Sequence, residues 1–112
     1  MNEFDEVLSQ ILEFRDARNW KQFHNAKDLA VSLSIEAAEV LENFQWKSAE
    51  ETIAAKKQDL QDEIADVAVY LFLLCEATGI DLKESIIQKL AKNNAKYPVH
   101  KAFGKSDKYT EL

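Results

Sequence analysis

The sequence predicts an all-α protein with four long helical segments, and its composition supports this fold class in two ways. Glycine and proline, the residues that most often interrupt helices, number only two and one among 112 residues. Ala, Leu, Glu, Lys and Gln, which favour helices, recur throughout the chain. Hydrophobic residues make up 46% of the sequence, so residues 1–112 can bury the core of a single domain.

Apolar spacing and capping signals indicate where each helix begins and ends. The expected helices are Asn2–Ala17, Ala26–Phe44, Ala49–Ala77 and Leu82–Lys96. Ser48 and Glu51 form a capping box at the start of the third helix, which we expect to bend near residues 56–57. Gly79 is the expected C-cap of that helix, and residues 98–112 are predicted to form an extended tail.

Charge and apolar pattern argue against two classes of partner. The formal net charge is −6 and no basic patch is visible, so we expect no binding to DNA or RNA. The longest apolar run, residues 64–75, contains Asp66 and is too short to span a bilayer, so no membrane partner is expected. Because the N-terminus is acidic and Cys75 is the single cysteine, we expect a reducing, cytoplasmic location without a signal peptide.

Two glutamates of the second helix lie on its core side. The apolar stripe of this helix contains Leu29, Leu33, Val40 and Phe44. At about 100° per residue, Glu36 falls within the stripe, Glu39 at its border and Glu42 on the opposite, polar side. Glu36 and Glu39, one turn apart, are therefore predicted to face the core.

The third helix repeats this arrangement. Between Ile64 and Cys75 it is apolar on nearly every side, which predicts burial in a bundle centre or at a subunit interface. Glu63 and Asp66 nevertheless stand at the head of this stretch, three residues apart, with Tyr70 on the same side. If the two helices pack side by side, the two acidic pairs converge.

Converging carboxylates must be neutralised by Lys or Arg partners, by protonation or by a metal ion, because burying unpaired charges of one sign is unfavourable. An oxygen-only set favours a hard cation, Mg²⁺ or Mn²⁺, and helical bundles often hold such ions between facing helices. Ordinary salt bridges to Lys or Arg explain the same pattern about equally well. A di-iron site is disfavoured, because neither His24 nor His100 follows an acid by three residues.

Two segments of the chain carry the acidic pairs, SIEAAEVLENFQWK at 34–47 and EIADVAVY at 63–70, and they are accompanied by RNWKQFH at 18–24, KLAKNNAKYP at 89–98 and KYTEL at 108–112. In this order, the segments resemble the MazG-like all-alpha nucleotide pyrophosphohydrolases, and within them the dCTP pyrophosphatase branch. The family motif is EExxE followed by ExxD. Ile35 replaces the first glutamate, while Glu36, Glu39, Glu63 and Asp66 match the other four positions.

The resemblance implies roles for particular residues. Glu36, Glu39, Glu63 and Asp66 would be the catalytic residues and the ligands of Mg²⁺, with Mn²⁺ as an alternative ion. The expected substrate-binding residues are Trp20, Phe23, His24, Trp46, Tyr70, Lys89, Asn93 and Tyr97. Without the family, Trp20 and Trp46 would be interpreted as core or interface anchors and Tyr70 as a core residue. Ile11 replaces a histidine of the branch, which bears on the choice of base.

The implied fold is a four-helix bundle that assembles as a homodimer or as a dimer of dimers. The implied activity is Mg²⁺-dependent hydrolysis of nucleoside triphosphates, dCTP or related dNTPs above all, to the monophosphate and pyrophosphate, as housecleaning of the nucleotide pool. No Walker A motif is present, so a kinase-type or motor-type NTPase is not expected. The alternatives are a non-catalytic, nucleotide-binding helical oligomer with a regulatory role and a structural bundle whose acids form ion pairs.

Overall fold

The computed structural model describes every residue from Met1 to Leu112, and all of its regular elements are helical. The α-helices are α1 (Glu3–Ala17), α2 (Ala26–Glu42), α3 (Ala49–Thr78), α4 (Leu82–Lys96) and α5 (Val99–Ala102). Two 3₁₀ turns, Lys21–Phe23 and Tyr109–Glu111, complete the regular structure. The predicted all-α fold class is confirmed.

The chain divides into two compact units, Met1–Ile80 and Asp81–Leu112, which we describe separately. In the first unit, α1 and α2 both pack against the long helix α3. The second unit contains α4 and α5. The assignment of residues 1–112 to a single domain stays a prediction.

Side-chain caps define the starts of the four long helices, because the first backbone N–H groups of a helix have no partner inside it. The capping residues are Asn2, Asn25, Ser48 and Asp81. At Ser48 the predicted capping box with Glu51 is present in both directions. Gly79 ends α3 with a φ of 70°, a left-handed conformation that glycine adopts without steric cost, so the predicted C-cap is also confirmed.

The structure locates the bend within α3 and the end of α2. The predicted bend in α3 lies at Lys56, whose φ of −127° and ψ of 27° are not helical. Helix α2 ends at Glu42, two residues before the predicted limit at Phe44. The backbone tightens there, because Phe44 and Gln45 donate to the carbonyls three residues before them, at 3.0 and 3.1 Å.

The prediction of an extended tail for residues 98–112 is wrong. Pro98 takes a φ of −56°, and its carbonyl accepts from Lys101 and Ala102, which starts the short helix α5. Proline favours this position because its ring fixes φ near the helical value and it needs no N–H partner. Further along, the Tyr109 ring packs edge-on against Tyr97 at 5.9 Å, which accompanies the second 3₁₀ turn.

The first unit has a small fully buried core and a large exposed apolar surface. Leu29, Leu60 and Leu73 are its buried hydrophobic residues. Large apolar side chains that stay exposed include Val31, Ile35, Leu41, Trp46, Ile53 and Ile64. The helix predicted to be apolar on nearly every side therefore keeps part of its surface, such as Ile64 at 57%, open in the single chain. No helix combines the length and the apolar character needed to cross a membrane.

The capping box of α3 makes a stability prediction. Ser48→Ala removes the side-chain acceptor of the Glu51 N–H and should lower the free energy of unfolding by about 1 kcal/mol. Urea and thermal denaturation measure the change. Ser9→Ala is the matched control, because Ser9 is exposed within α1 and caps no helix. Equal stability of the two variants would contradict the role given to Ser48.

Candidate active site

The four acids predicted from the sequence lie on the two helices that pack against each other. Glu36 and Glu39 belong to α2, and Glu63 and Asp66 belong to α3. Each pair is separated by three residues, which places its members on one face of the helix. Glu36, Glu39 and Glu63 are half-buried and Asp66 is exposed, whereas Glu42 faces solvent as predicted.

Glu36 shows that the four acids influence one another. Its Oε2 atom is buried and has no hydrogen-bond partner. The pKa of Glu36 is raised, first by burial and then by a hydrogen bond with Glu39. The negative charges of Glu39, Asp66 and Glu63 raise this pKa further. The carboxylates of both helices therefore contribute to a single region of negative potential.

No cationic side chain of the chain compensates this charge. Its two ion pairs, Arg15 with Asp16 and Lys27 with Asp28, both at 2.8 Å, join neighbours in sequence and do not involve the four acids. This observation disfavours the interpretation of the acids as members of ordinary salt bridges. No group of three or more His, Cys, Asp or Glu side chains is gathered closely enough to hold a metal ion. The four acids are thus electrostatic neighbours without forming a closed cage.

The sequence reasoning missed Asn43, which binds one of these acids. The Nδ2 atom of Asn43 donates to Oε2 of Glu63 and also to the backbone carbonyl of Glu39, the latter at 3.0 Å. Asn43 stands four residues after Glu39, so the spacing on α2 was the signal that could have found it. Its link to Glu63, by contrast, depends on the packing of α2 against α3.

A groove of about 490 Å³ lies between α1 and α3 beside Asp66. Its lining is mostly apolar and includes Val7, Ile11, Phe14, Val69 and Phe72. Such a concave apolar surface next to a few polar groups is typical of a small-molecule site. Of this lining, the sequence reasoning had singled out Asp66 and Ile11. Val7, Phe14 and Phe72 are indistinguishable from core residues in a helical pattern.

The predicted aromatic residues differ in their surroundings. Trp20 packs edge-on against Phe14, with ring centroids 5.7 Å apart, so it adjoins a residue that lines the groove. Trp46 is 93% exposed and has a φ of 64°, a strained left-handed conformation for a tryptophan. Phe23 is exposed and Tyr70 is half-buried on α3.

His24 lines a second cavity of the first unit, about 280 Å³ in volume. Arg15, Lys21, Leu73 and Glu76 contribute to the same cavity. The Nδ1 atom of His24 is buried and has no hydrogen-bond partner. The structure thus places His24 at a partly basic cavity, separate from the groove beside Asp66.

Three predicted substrate-binding residues belong to the second unit. Lys89 and Asn93 lie on α4, and Tyr97 is its C-cap. Their spacing of four residues places them along one face of that helix. Lys89 is exposed, while Asn93 and Tyr97 are half-buried.

Comparison with known proteins identifies the family. Residues 31–112 match the sequence description of the MazG-like family. The chain belongs to the MazG-like family. This confirms the resemblance on which the sequence-based assignment depended.

Individual relatives agree with this assignment. The MazG-like chain is 38% identical to dCTP pyrophosphatase 1 of Mus musculus and 37% identical to that of Homo sapiens, each over 105 residues. These matches cover 89% of this chain and 62% of the relatives, so the chain spans about three fifths of their length. The crystal structure of a pyrophosphatase from Archaeoglobus fulgidus superposes with a TM-score of 0.82 at 43% identity, covering 88% of this chain and 94% of that one.

The raised pKa of Glu36 predicts how stability depends on pH without metal. The folded state disfavours the ionised form, so stability is lost as the pH rises from the ordinary pKa of a glutamate through the raised one. Glu36→Gln removes this loss and should increase the melting temperature at neutral pH by a few degrees. Below the ordinary pKa, where the wild-type carboxyl is protonated in both states, the increase should vanish.

Thermal unfolding in buffer with a chelator, followed by circular dichroism across this pH range, measures the effect. Glu42→Gln is the matched control, because Glu42 is exposed on the opposite face of α2. A Glu36→Gln variant that melts at or below the wild-type temperature at neutral pH would show that the charge of Glu36 is compensated in solution.

Proposed function

We propose that this MazG-like protein hydrolyses nucleoside triphosphates, dCTP or related dNTPs in particular, to the monophosphate and pyrophosphate in a reaction that requires Mg²⁺. The observation that carries the proposal is the group of uncompensated carboxylates shared by α2 and α3. The names of the mouse and human relatives, both dCTP pyrophosphatase 1, support the class of reaction and the choice of substrate.

The donor chemistry of the four acids fits a magnesium ion, and a bound ion would draw these side chains closer together than they stand in the chain alone. Glu36, Glu39, Glu63 and Asp66 offer only carboxylate oxygens, the donors that Mg²⁺ and Mn²⁺ prefer. The buried and unpartnered Oε2 of Glu36 is an acceptor that lacks a donor within the chain. When bound, the metal would polarise phosphate oxygens, spread the developing charge and lower the pKa of a bound water.

Side chains of the protein itself are assigned to orienting the water, stacking on the base and binding phosphate. Glu36 and Glu39, which stand one turn apart on the same face of α2, are the two candidates for orienting the attacking water and accepting its proton. The groove beside Asp66 offers apolar walls to a base, and Trp20 and Trp46 offer aromatic faces for stacking. In the second unit, Lys89 carries a compact positive charge of the kind that suits a phosphate.

The exposed apolar surface of the first unit supports assembly as a homodimer or homotetramer. Side chains such as Leu41, 71% exposed, and Ile64, 57% exposed, are large apolar groups that a second copy of the chain would cover. A second copy covering α2 and α3 would also change the surroundings of Trp46. We place the assembled protein in the cytoplasm, where hydrolysis would remove unwanted dNTPs from the nucleotide pool.

The central test of the proposal is loss of turnover when one acid becomes an amide. Glu39→Gln and Asp66→Asn each remove one negative charge and one potential metal ligand, so both should abolish pyrophosphate release from dCTP in the presence of Mg²⁺ while the melting temperature stays near that of the wild type. Glu42→Gln, one turn along α2 and exposed, should keep full activity.

Two results of this assay would contradict the proposal in different ways. Activity retained in both purified amide variants would refute the assigned site. A wild-type protein that binds dCTP but releases no pyrophosphate would favour a non-catalytic, nucleotide-binding regulator. Screening the common ribonucleoside and deoxyribonucleoside triphosphates with the wild-type protein then establishes the preferred base, for which Ile11 in the groove is the first residue to exchange.

Trp46 provides a test of base binding that is separate from folding. Because its ring is 93% exposed, Trp46→Ala should leave the melting temperature unchanged. It should raise the KM for dCTP by roughly ten- to a hundredfold, since stacking contributes about 1–3 kcal/mol per base. Trp46→Phe keeps an aromatic face and should stay close to the wild type in steady-state kinetics. An unchanged KM in Trp46→Ala would remove Trp46 from the substrate site.

A further inference from the structure

Asn43 connects the end of α2 with an acid of α3. Its side chain is almost completely buried, with 7% of the residue exposed. Through Nδ2 it donates to the carbonyl of Glu39 on its own helix and to Oε2 of Glu63 on the neighbouring helix. Both acceptors are oxygens, so only the NH₂ group of the amide can face them, and both of its hydrogens are used.

The hydrogen bond from Asn43 occupies Oε2 of Glu63 and leaves its Oε1 available. A glutamate on a helix surface samples many side-chain rotamers, and fixing one of them has an entropic cost. An amide donor to Oε2 restricts the orientation of the carboxylate, while Oε1 accepts no hydrogen bond in the chain. Glu63 is therefore held with a free oxygen in the region where its charge and those of Glu39 and Asp66 act on Glu36.

Asn43 is itself held in place from a second direction. The hydroxyl of Thr52, which is completely buried, donates to the carbonyl of Asn43 at 3.3 Å and to that of Ser48 at 3.0 Å. The backbone N–H of Asn43 donates to the carbonyl of Val40 at 3.3 Å. Thr52 makes no hydrogen bond with any of the four acids, so it supports the backbone of Asn43 without contacting the carboxylate that Asn43 binds.

We propose that Asn43 is a positioning residue that orients the carboxylate of Glu63 for a divalent cation. The inference rests on the proposed metal site and adds to it a neutral residue that belongs to neither acidic pair. Outer groups that bind metal ligands commonly change metal affinity or activity by about 10–100-fold when they are removed. A purely structural Asn43, which only ends α2 by bonding the Glu39 carbonyl, would change stability and leave metal affinity intact.

The experiment compares Asn43→Leu with Thr52→Val, using Mn²⁺ and Mg²⁺ alone as probes. Asn43→Leu keeps the size of the side chain but removes its donor, so Mn²⁺ binding measured by electron paramagnetic resonance should weaken by about 10–100-fold. Thr52→Val also removes a buried hydrogen bond but keeps the amide that binds Glu63, so it should lower the melting temperature while its Mn²⁺ affinity falls much less than that of Asn43→Leu. Calorimetry with Mg²⁺ repeats the comparison, and neither measurement depends on turnover.

A second measurement on the unmodified protein covers the case in which Asn43→Leu fails to fold. Asn25 is an internal reference, because its side-chain amide also donates to a carboxylate, Oδ2 of Asp28 at 2.7 Å, at the opposite end of α2. In nuclear magnetic resonance spectra, titration with Mg²⁺ should shift the side-chain amide signals of Asn43 and leave those of Asn25 in place.

Each result has a distinct meaning. Three results would each overturn the positioning role of Asn43 alone. The first is wild-type Mn²⁺ affinity in a folded Asn43→Leu variant, and the second is an equal loss of affinity in Asn43→Leu and Thr52→Val. The third is that the side-chain amide signals of Asn43 do not shift when Mg²⁺ binds. A wild-type protein that binds neither Mn²⁺ nor Mg²⁺ would overturn the metal site itself, and the role of Asn43 with it. Metal binding without pyrophosphate release would refute the proposed hydrolysis and leave the role of Asn43 supported by its own readouts.

Discussion

The organisation of this protein depends on the interaction among four carboxylates carried by two packed helices. Burial and neighbouring negative charge raise the pKa of Glu36, and no lysine or arginine forms an ion pair with the group. Such an arrangement opposes folding, because like charges repel and a buried charge loses its hydration. It persists in a helical scaffold whose caps and α2–α3 packing stabilise the fold. The proposed cation site therefore accounts for the four acids better than a contribution to stability does.

Sequence reasoning succeeded for structural features that are determined by residues close together in the sequence. The helix starts at Ser48 and Asn25 could be predicted because each capping side chain binds a backbone N–H only three residues along the chain. The helical repeat alone places Glu36 on the core side of α2. Sequence reasoning failed where the cause is a contact between distant residues. The bond from Asn43 to Glu63 spans 20 residues, and neither periodicity nor composition records such a contact.

Two further differences between prediction and structure have separate causes. The early end of α2 results from local backbone bonds that close over three residues, whereas the 3₁₀ turn near the C-terminus accompanies a Tyr97–Tyr109 ring contact within the second unit. The groove was missed because it depends on how α1 packs against α3. Phe14 and Phe72 occupy apolar positions that look like core in a helical pattern, and only the separation of α1 from α3 beside Asp66 leaves them facing an open space.

The turn that follows α2 links the two chemical parts of the proposed site. Because the helix ends at Glu42, the next residues tighten, and Asn43 at the first of them reaches Glu63. Three residues later the same turn puts Trp46 into a left-handed conformation with its ring in solvent. One short segment therefore holds a ligand of the expected metal and presents an aromatic face for the expected base. A strained, exposed tryptophan is unfavourable in an isolated chain, and its retention is understandable if a nucleotide or a second copy of the chain covers it.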